Sequence, residues 1–119
     1  MSFSATVDQM RNRTKTVTRR APSTWANLKP GDRLLAVEKA MGLAKGEQQV
    51  EIGVIEIVDV RVELLSEITD VEAAKEGFAS LGANGFIAEV WVPMHGYYSS
   101  AQMVRRIEFR HIDEEQAGA

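Results

Sequence analysis

Eight consecutive residues, Arg13 to Arg20, carry most of the chemistry this chain has to offer. They read Arg-Thr-Lys-Thr-Val-Thr-Arg-Arg, so a lysine, three hydroxyls and three guanidiniums share one short segment. Such a cluster suits binding or cutting a polar, anionic or nucleoside-like ligand. Lys15 beside Thr18 is a workable base and nucleophile once burial lowers the lysine pKa. A protonated Lys15 would instead stabilise a developing oxyanion. In a fully extended strand two residues three positions apart point to opposite faces. Lys15 and Thr18 therefore share a pocket only if the chain turns from helix to strand between them. Arg19 and Arg20 alternate across a strand, so one is expected to line the pocket as an anion clamp and the other to stay in solvent. Without such a turn the segment is a solvated basic edge strand with a surface hydroxyl.

Glu38 and Lys39 follow an apolar run and either border the same cavity or form a salt bridge on its rim. His95 lies in a Met-His-Gly-Tyr-Tyr stretch and reads as a surface residue, although Tyr97 and Tyr98 beside it could stack on a base. Trp25 and Trp91 read as packing residues, and His111 as a satisfied core histidine. Two separated histidines in a chain without cysteine do not make a metal site. No phosphate-loop or dinucleotide glycine pattern is present, so no cofactor is expected.

The chain has 119 residues, 45% apolar and 26% charged, the composition of one soluble domain with a single modest core. No apolar run has the length of a membrane span, and the first residues lack the features of a signal peptide, so the cytoplasm is the expected location. Net charge is −3, but residues 1–45 carry +6 and residues 46–119 carry −9. That asymmetry implies either a positive face that attracts phosphates or two halves that neutralise each other. The expected partners are a small nucleoside-like ligand or single-stranded RNA. Oligomeric state is not legible.

The elements follow from local pattern. Phe3 is placed in a short first strand. Thr6 with Gln9 spells a capping box for a helix from Val7 to about Asn12. Thr16–Arg20 is strand-forming, and Pro22 ends it. Ser23–Leu28 suggests one helical turn anchored by Trp25 and Leu28. Lys29-Pro30-Gly31-Asp32 is a turn, and Arg33–Glu38 a buried strand. Ala40–Gln49 is read as a loop. Val50–Leu64 alternates with its even positions apolar, except at Ile55, Glu56 and Ile57, where the phase inverts. A bulge or bend near Gly53–Glu56 would explain the inversion. Thr69 with Glu72 spells a second capping box, for a helix Asp70–Glu76 closed by Gly77. Asn84 caps a further helix that Pro93 stops near Val92. Val104–Ile112 is the last strand, with Ile107, Phe109 and His111 on one face and Arg106, Glu108 and Arg110 on the other. Residues 1–112 form one domain, and 113–119 an acidic tail expected to be disordered. The class is α+β, a small mixed β-barrel with short helices over its openings.

The order Lys15-Thr16-Val17-Thr18-Arg19-Arg20, then Leu28-Lys29-Pro30-Gly31-Asp32-Arg33-Leu34-Leu35, then a long Val/Ile strand, resembles the ASCH domain family of the PUA-like β-barrel superfamily. The resemblance runs from Phe3 to Ile112. Its Lys-x-x-[Glu/Thr]-x-Arg core falls on Lys15, Thr18 and Arg20, which makes Arg20 the expected clamp. A threonine in the third motif position resembles a branch of small metal-independent amidohydrolases that deacylate N4-acetylcytidine with a lysine, a threonine and a glutamate. The resemblance implies Lys15, Thr18 and Glu76 as catalytic residues, with Arg20, Arg19, Glu38 and Lys39 as substrate-binding candidates. Other members imply the alternative: a non-catalytic RNA or nucleotide-binding module, or a ribonuclease, using the basic N-terminal region. The chain departs from the family in two places. Arg13 stands where a glycine often eases the helix-to-strand turn, and the segment Ala36–Glu47 is longer than in the smallest amidohydrolases, as in a phage or prophage branch.

Overall fold

The longest alternation in the sequence becomes the longest strand. The computed structural model describes residues 1–39 and 43–113, and in it β3 runs Glu51–Leu64 at the centre of a sheet with β1 (Val17–Arg20), β2 (Arg33–Val37) and β4 (Met103–Ile112). The order is β1-β4-β3-β2, with every neighbouring pair antiparallel. The sheet curls into a half-barrel rather than closing. Its open side is crossed by the first residues: Ser2 bridges Val37 in parallel, and Arg20 Nη2 of edge strand β1 donates to the Ser2 carbonyl at 2.7 Å. Phe3 thus follows an isolated bridge rather than lying in a strand; its amide donates to the Val37 carbonyl at 2.9 Å and its ring is buried.

The phase inversion in β3 has two causes, one on each side. Pairing with β2 shifts between Ala36 and Val37, opposite Gly53 and Glu51. Pairing with β4 shifts between Ile57 and Asp59, which leaves Val58 as the extra residue of a bulge. Between these shifts Ile55 and Ile57 face the core, each 1% exposed, while Val50, Val58 and Val62 are exposed. The core face thus switches phase along the strand: Ile52 and Val60, on either side of the inversion, also pack against the core. Strand β2 is likewise not buried throughout, because it is an edge strand: Leu35 is exposed and only Ala36 and Val37 are fully inside. The Lys29–Asp32 turn forms, with Gly31 at positive φ and the Asp32 amide donating to the Lys29 carbonyl at 3.0 Å.

Helix α1 is Val7–Arg11 and buries Met10. The Thr6 side chain makes no capping bond there, so the expected capping box is not formed. Helix α2, Asp70–Lys75, is capped: Thr69 Oγ1 accepts from the Glu72 amide at 3.2 Å. The Glu72 side chain does not complete the box, because it is drawn to Arg19 and Arg106. Ser23–Leu28 forms consecutive turns, not a helical turn, and Trp25 adopts φ 56° with its side chain half exposed.

The largest difference lies between residues 82 and 95. Asn84 does not start the helix and Pro93 does not stop it. Helix α3 (Gly82–Phe86) continues through a π-helical segment (Ile87–Trp91) into α4 (Val92–His95). The wider π turns interrupt the α ladder just before the proline, so Pro93 occupies the first turn of α4, where its missing N–H is tolerated. Gly96, at φ 86°, ends the run.

Two apolar clusters result. One fills the half-barrel (Phe3, Met10, Ile55, Ile57, Ile107, Phe109), and the other packs the helices against the sheet end (Leu65, Ile68, Ala73, Phe86, Trp91, Val104). The loop expected over Ala40–Gln49 lies partly outside the described residues, and so does the tail beyond Asp113. No helix among the described residues is long and apolar enough to cross a membrane.

Candidate functional site

The turn that the Lys15–Thr18 spacing requires is built at Arg13. This residue adopts φ 63°, the left-handed conformation that a glycine would enter without strain. Past it the Lys15 amide donates to the Gln9 carbonyl at 3.2 Å and the Thr16 amide to the Lys75 carbonyl at 2.7 Å. His111 Nε2 lies 2.8 Å from the Lys15 carbonyl. Lys15 is thereby held by α1, the end of α2 and β4, two residues before the strand register starts at Val17.

Glu76 is the C-cap of α2, a place where the helix dipole disfavours a carboxylate. The chain leaves it through Gly77 at φ 99°, where a Cβ would meet Gln9 Cγ at 2.6 Å, so only glycine fits. The unfavourable end is offset by cations. Lys15 Nζ donates to Glu76 Oε1 at 2.7 Å and to the Glu76 carbonyl at 3.0 Å, and Arg19 Nη1 donates to Oε2 at 3.0 Å. All three side chains are about as buried as the apolar core, 3%, 3% and 1% exposed for Lys15, Glu76 and Arg19. Burial pushes the Lys15 ammonium below its ordinary pKa; the Glu76 carboxylate pulls it back up, and Arg20 and Arg19 lower it further.

Behind this triad lies a second tier of charge. Arg19 Nη2 also reaches Glu72 at 2.7 Å and Glu63 at 3.1 Å. Arg106 forks onto Glu72 and bonds Glu108 at 3.0 Å. Burial works to raise the Glu72 carboxyl, but the hydrogen bonds from Arg106 and Arg19 outweigh it and hold the group down at about 2. Burial likewise disfavours the Arg106 cation, yet its carboxylate partners push its pKa above the ordinary arginine value. The polar face of β4 is thus not a solvent face at Arg106, which is 2% exposed.

Thr18 and Arg20 lie on one side of β1. Arg20 Nε donates to Thr18 Oγ1 at 3.1 Å, and the Arg20 guanidinium sits 5.1 Å over the Phe3 ring. Lys15, Thr18, Arg19, Arg20 and Glu76 all line one hollow of about 340 Å³. Neither arginine is left in solvent, contrary to the simple alternation, because Glu72 and Glu76 take Arg19 on one side of this edge strand and Ser2 and Phe3 cover Arg20 on the other. Glu38 and Lys39 do not line the hollow: Glu38 bonds Arg11 at 2.6 Å and Lys39 faces Glu47 at 3.4 Å, on the rim of the β2 end.

The opposite wall is aromatic and was hidden by the expected helix stop at Pro93. Because the helix continues, Trp91 and His95 fall one turn apart, and their rings stack at 3.8 Å with 27° between planes. Both line the hollow, together with Trp25, Phe78 and Phe86. Burial, and then the charge of Arg20, lower the His95 pKa, so the ring is neutral around pH 7. The usable signal was the four-residue Trp91–His95 spacing. Among the described residues no group of three or more His, Asp or Glu side chains is placed to hold a metal ion.

No family model and no curated protein matches the sequence. Solved structures do match it in shape. An ASCH domain from Lactobacillus crispatus JV V101 superposes with a TM-score of 0.63 at 15% identity, covering 90% of this chain and 70% of that one. A DUF984 protein from Enterococcus faecalis V583 superposes with a TM-score of 0.57 at 15% identity, covering 98% of this chain and 73% of that one. The curled four-stranded sheet and the short helices over it are built on the ASCH-domain fold.

Proposed function

We propose that the protein is a metal-independent amidohydrolase that removes the acyl group from an acylated nucleoside of the N4-acetylcytidine type. One observation carries this reading: a lysine and a glutamate, bonded at 2.7 Å and sealed from water, sit in the same hollow as the Thr18 hydroxyl. Thr18 Oγ1 accepts from Arg20, so its own proton is free to leave, and the guanidinium stabilises the oxygen as charge develops on it. Thr18 Oγ1 attacks the acyl carbonyl carbon and passes its proton to the unprotonated fraction of the Lys15 amine, a form that burial brings within easier reach by lowering the lysine pKa from its ordinary value. The amide C–N bond then breaks, and the same proton goes to the departing N4 nitrogen. A water hydrolyses the Thr18 ester, releasing the carboxylic acid and restoring the hydroxyl. Glu76 orients Lys15 throughout. The aromatic wall of Trp25, Trp91 and His95 suits a flat base.

A small ligand has more support than an RNA track. Much of the basic N-terminal third is spent internally: Arg11, Arg13, Arg33 and Lys39 each close on an acidic neighbour. The test is hydrolysis of N4-acetylcytidine by the purified protein and by Lys15→Ala, Thr18→Val and Glu76→Ala. Turnover by the parent, with a loss of at least about a hundredfold in each variant, is expected. Turnover that survives all three changes, or no turnover by the parent, rejects the reading.

A further inference from the structure

The hollow beside β1 is not the end of the cavity system. A second hollow of about 440 Å³ adjoins it, and Ala21, Trp91 and His95 belong to the walls of both. The Trp91–His95 stack is therefore a partition with a ligand-sized space on either side. The far side is lined by Tyr97, Ala101 and Gln102 and carries no ionised residue. Tyr97 is 64% exposed, an aromatic face without a packing role.

The unsatisfied polar atoms are concentrated here. Among the described residues three buried side-chain atoms lack a hydrogen-bond partner: Arg19 Nε, Trp91 Nε1 and Gln102 Oε1. Every one belongs to a residue that lines one or both hollows. Buried donors and acceptors are ordinarily satisfied, and an orphan costs free energy until something pairs with it. Trp91 offers a donor and Gln102 an acceptor, and both residues form the wall of the second hollow. Both atoms are closed off in the free protein, so a ring that brings its own acceptor and donor on one edge recovers both losses once the Trp91 and Gln102 side chains turn to meet it, and its face has Tyr97 to stack on.

We infer that the second hollow is a ring-binding subsite, and that the substrate extends past the Trp91–His95 partition by one flat aromatic group with a polar edge. The inference rests on the amidohydrolase reading for what is cut, not for where the ring binds. Two sources would supply such a ring: an aromatic acyl group on the amide, or the neighbouring base of a nucleotide chain.

The experiment compares kcat/KM for N4-acetylcytidine, N4-benzoylcytidine and a cytidylyl-adenosine carrying the N4-acetyl group. It uses the parent protein, Tyr97→Ala and Ala101→Trp. One stacked ring gives a gain of about five- to a hundredfold over N4-acetylcytidine. The substrate that shows the gain identifies the source, and the gain should fall below about twofold when Tyr97 is removed or the space is filled from Ala101. No gain for either extended substrate, or a gain unchanged in both variants, overturns the subsite. If N4-acetylcytidine itself is not cut, the amidohydrolase reading fails, and the subsite is judged by tryptophan fluorescence titration of cytidine against cytidylyl-adenosine. A dinucleotide advantage of about fivefold or more that Ala101→Trp abolishes supports it; equal affinities overturn it.

Discussion

Replacing Glu76 by glutamine tests whether the Lys15–Glu76 pair is as desolvated as its geometry states. The substitution keeps shape and removes one charge, leaving Lys15 with no acidic partner and Arg19 with Glu72 and Glu63. Breaking a buried pair by neutralising one member costs about 3–5 kcal/mol, because the surviving charge stays out of water. The remaining partners of Arg19 put Glu76→Gln at the low end, about 3 kcal/mol. For a domain of this size that lowers Tm by roughly 12 °C at about 4 °C per kcal/mol. The double change Lys15→Met with Glu76→Leu removes both charges and should lie within about 1–2 kcal/mol of the parent. The pH dependence gives a second reading of the same pair. Lys15 has a folded pKa below its ordinary 10.5, so between those two values the unfolded chain binds more protons. Stability contributed by this group therefore rises with pH across that window. In Glu76→Gln the upward pull of the carboxylate is gone, the window extends to lower pH, and the deficit against the parent shrinks as pH rises towards the ordinary lysine value. Urea unfolding at a series of pH values measures both effects. A deficit under about 1 kcal/mol at pH 7, or one that does not change with pH, would show that water reaches the pair and that the burial argument is wrong.

Glu72 is held at about 2 against an ordinary 4.5, so its stabilising contribution is complete above 4.5 and is lost as pH falls towards 2. Glu72→Gln should be less stable than the parent at pH 6 and converge on it near pH 2, by acid-dependent thermal melts. Arg13 holds φ 63° at the cost of left-handed strain, and its ion pair with Asp113 is exposed at both ends. Arg13→Gly should therefore leave stability unchanged or raise it by about 0.5–1 kcal/mol, and a loss greater than about 1 kcal/mol would mean the exposed pair outweighs the strain.

What the sequence disclosed was mostly local. The Lys29–Asp32 turn, the Thr69 cap and Gly77 each depend on a few adjacent residues, and each formed. Alternation was less informative. In β3 the phase inversion at Ile55–Ile57 was legible and both residues are inside, but it arises from two register shifts with different partners rather than from one bulge or bend. No residue of β3 announces the shift at Val58, because it depends on how β4 pairs. Pro93 misled for a related reason. A proline ends a helix only if the α ladder reaches it, and the π segment had already changed that ladder. That single difference concealed the Trp91–His95 stack and with it the aromatic wall. The charge asymmetry between halves was legible, but its two interpretations differ only in three dimensions. Coordinates place Arg19 among Glu63, Glu72 and Glu76, so the positive third is largely neutralised by the acidic remainder.

The arrangement also explains how a six-residue helix can carry a buried carboxylate at its wrong end. Glu72 and Glu76 are one turn apart on α2, and Arg19 bonds both. Arg106 then anchors Glu72 from β4, and Lys15 anchors Glu76 from the turn before β1. Two strands are thus fastened to one short helix through charges that neither strand could bury alone. It follows that Lys15, Arg19 and Glu76 serve the fold, and that on the proposed mechanism Lys15 and Glu76 would serve the chemistry as well, so a change at either would disturb both. Thr18 is different. Among the described residues its hydroxyl has one partner, Arg20 Nε at 3.1 Å, and that guanidinium keeps the Ser2 carbonyl at 2.7 Å when the hydroxyl is gone. Thr18→Val should cost no more than about 1–2 kcal/mol of stability. If Thr18 is the nucleophile, the same change removes the oxygen that carries the acyl group. A Thr18→Val protein that is folded, retains its ligand and does not turn over separates the reaction from the scaffold, which no substitution in the charged network can do.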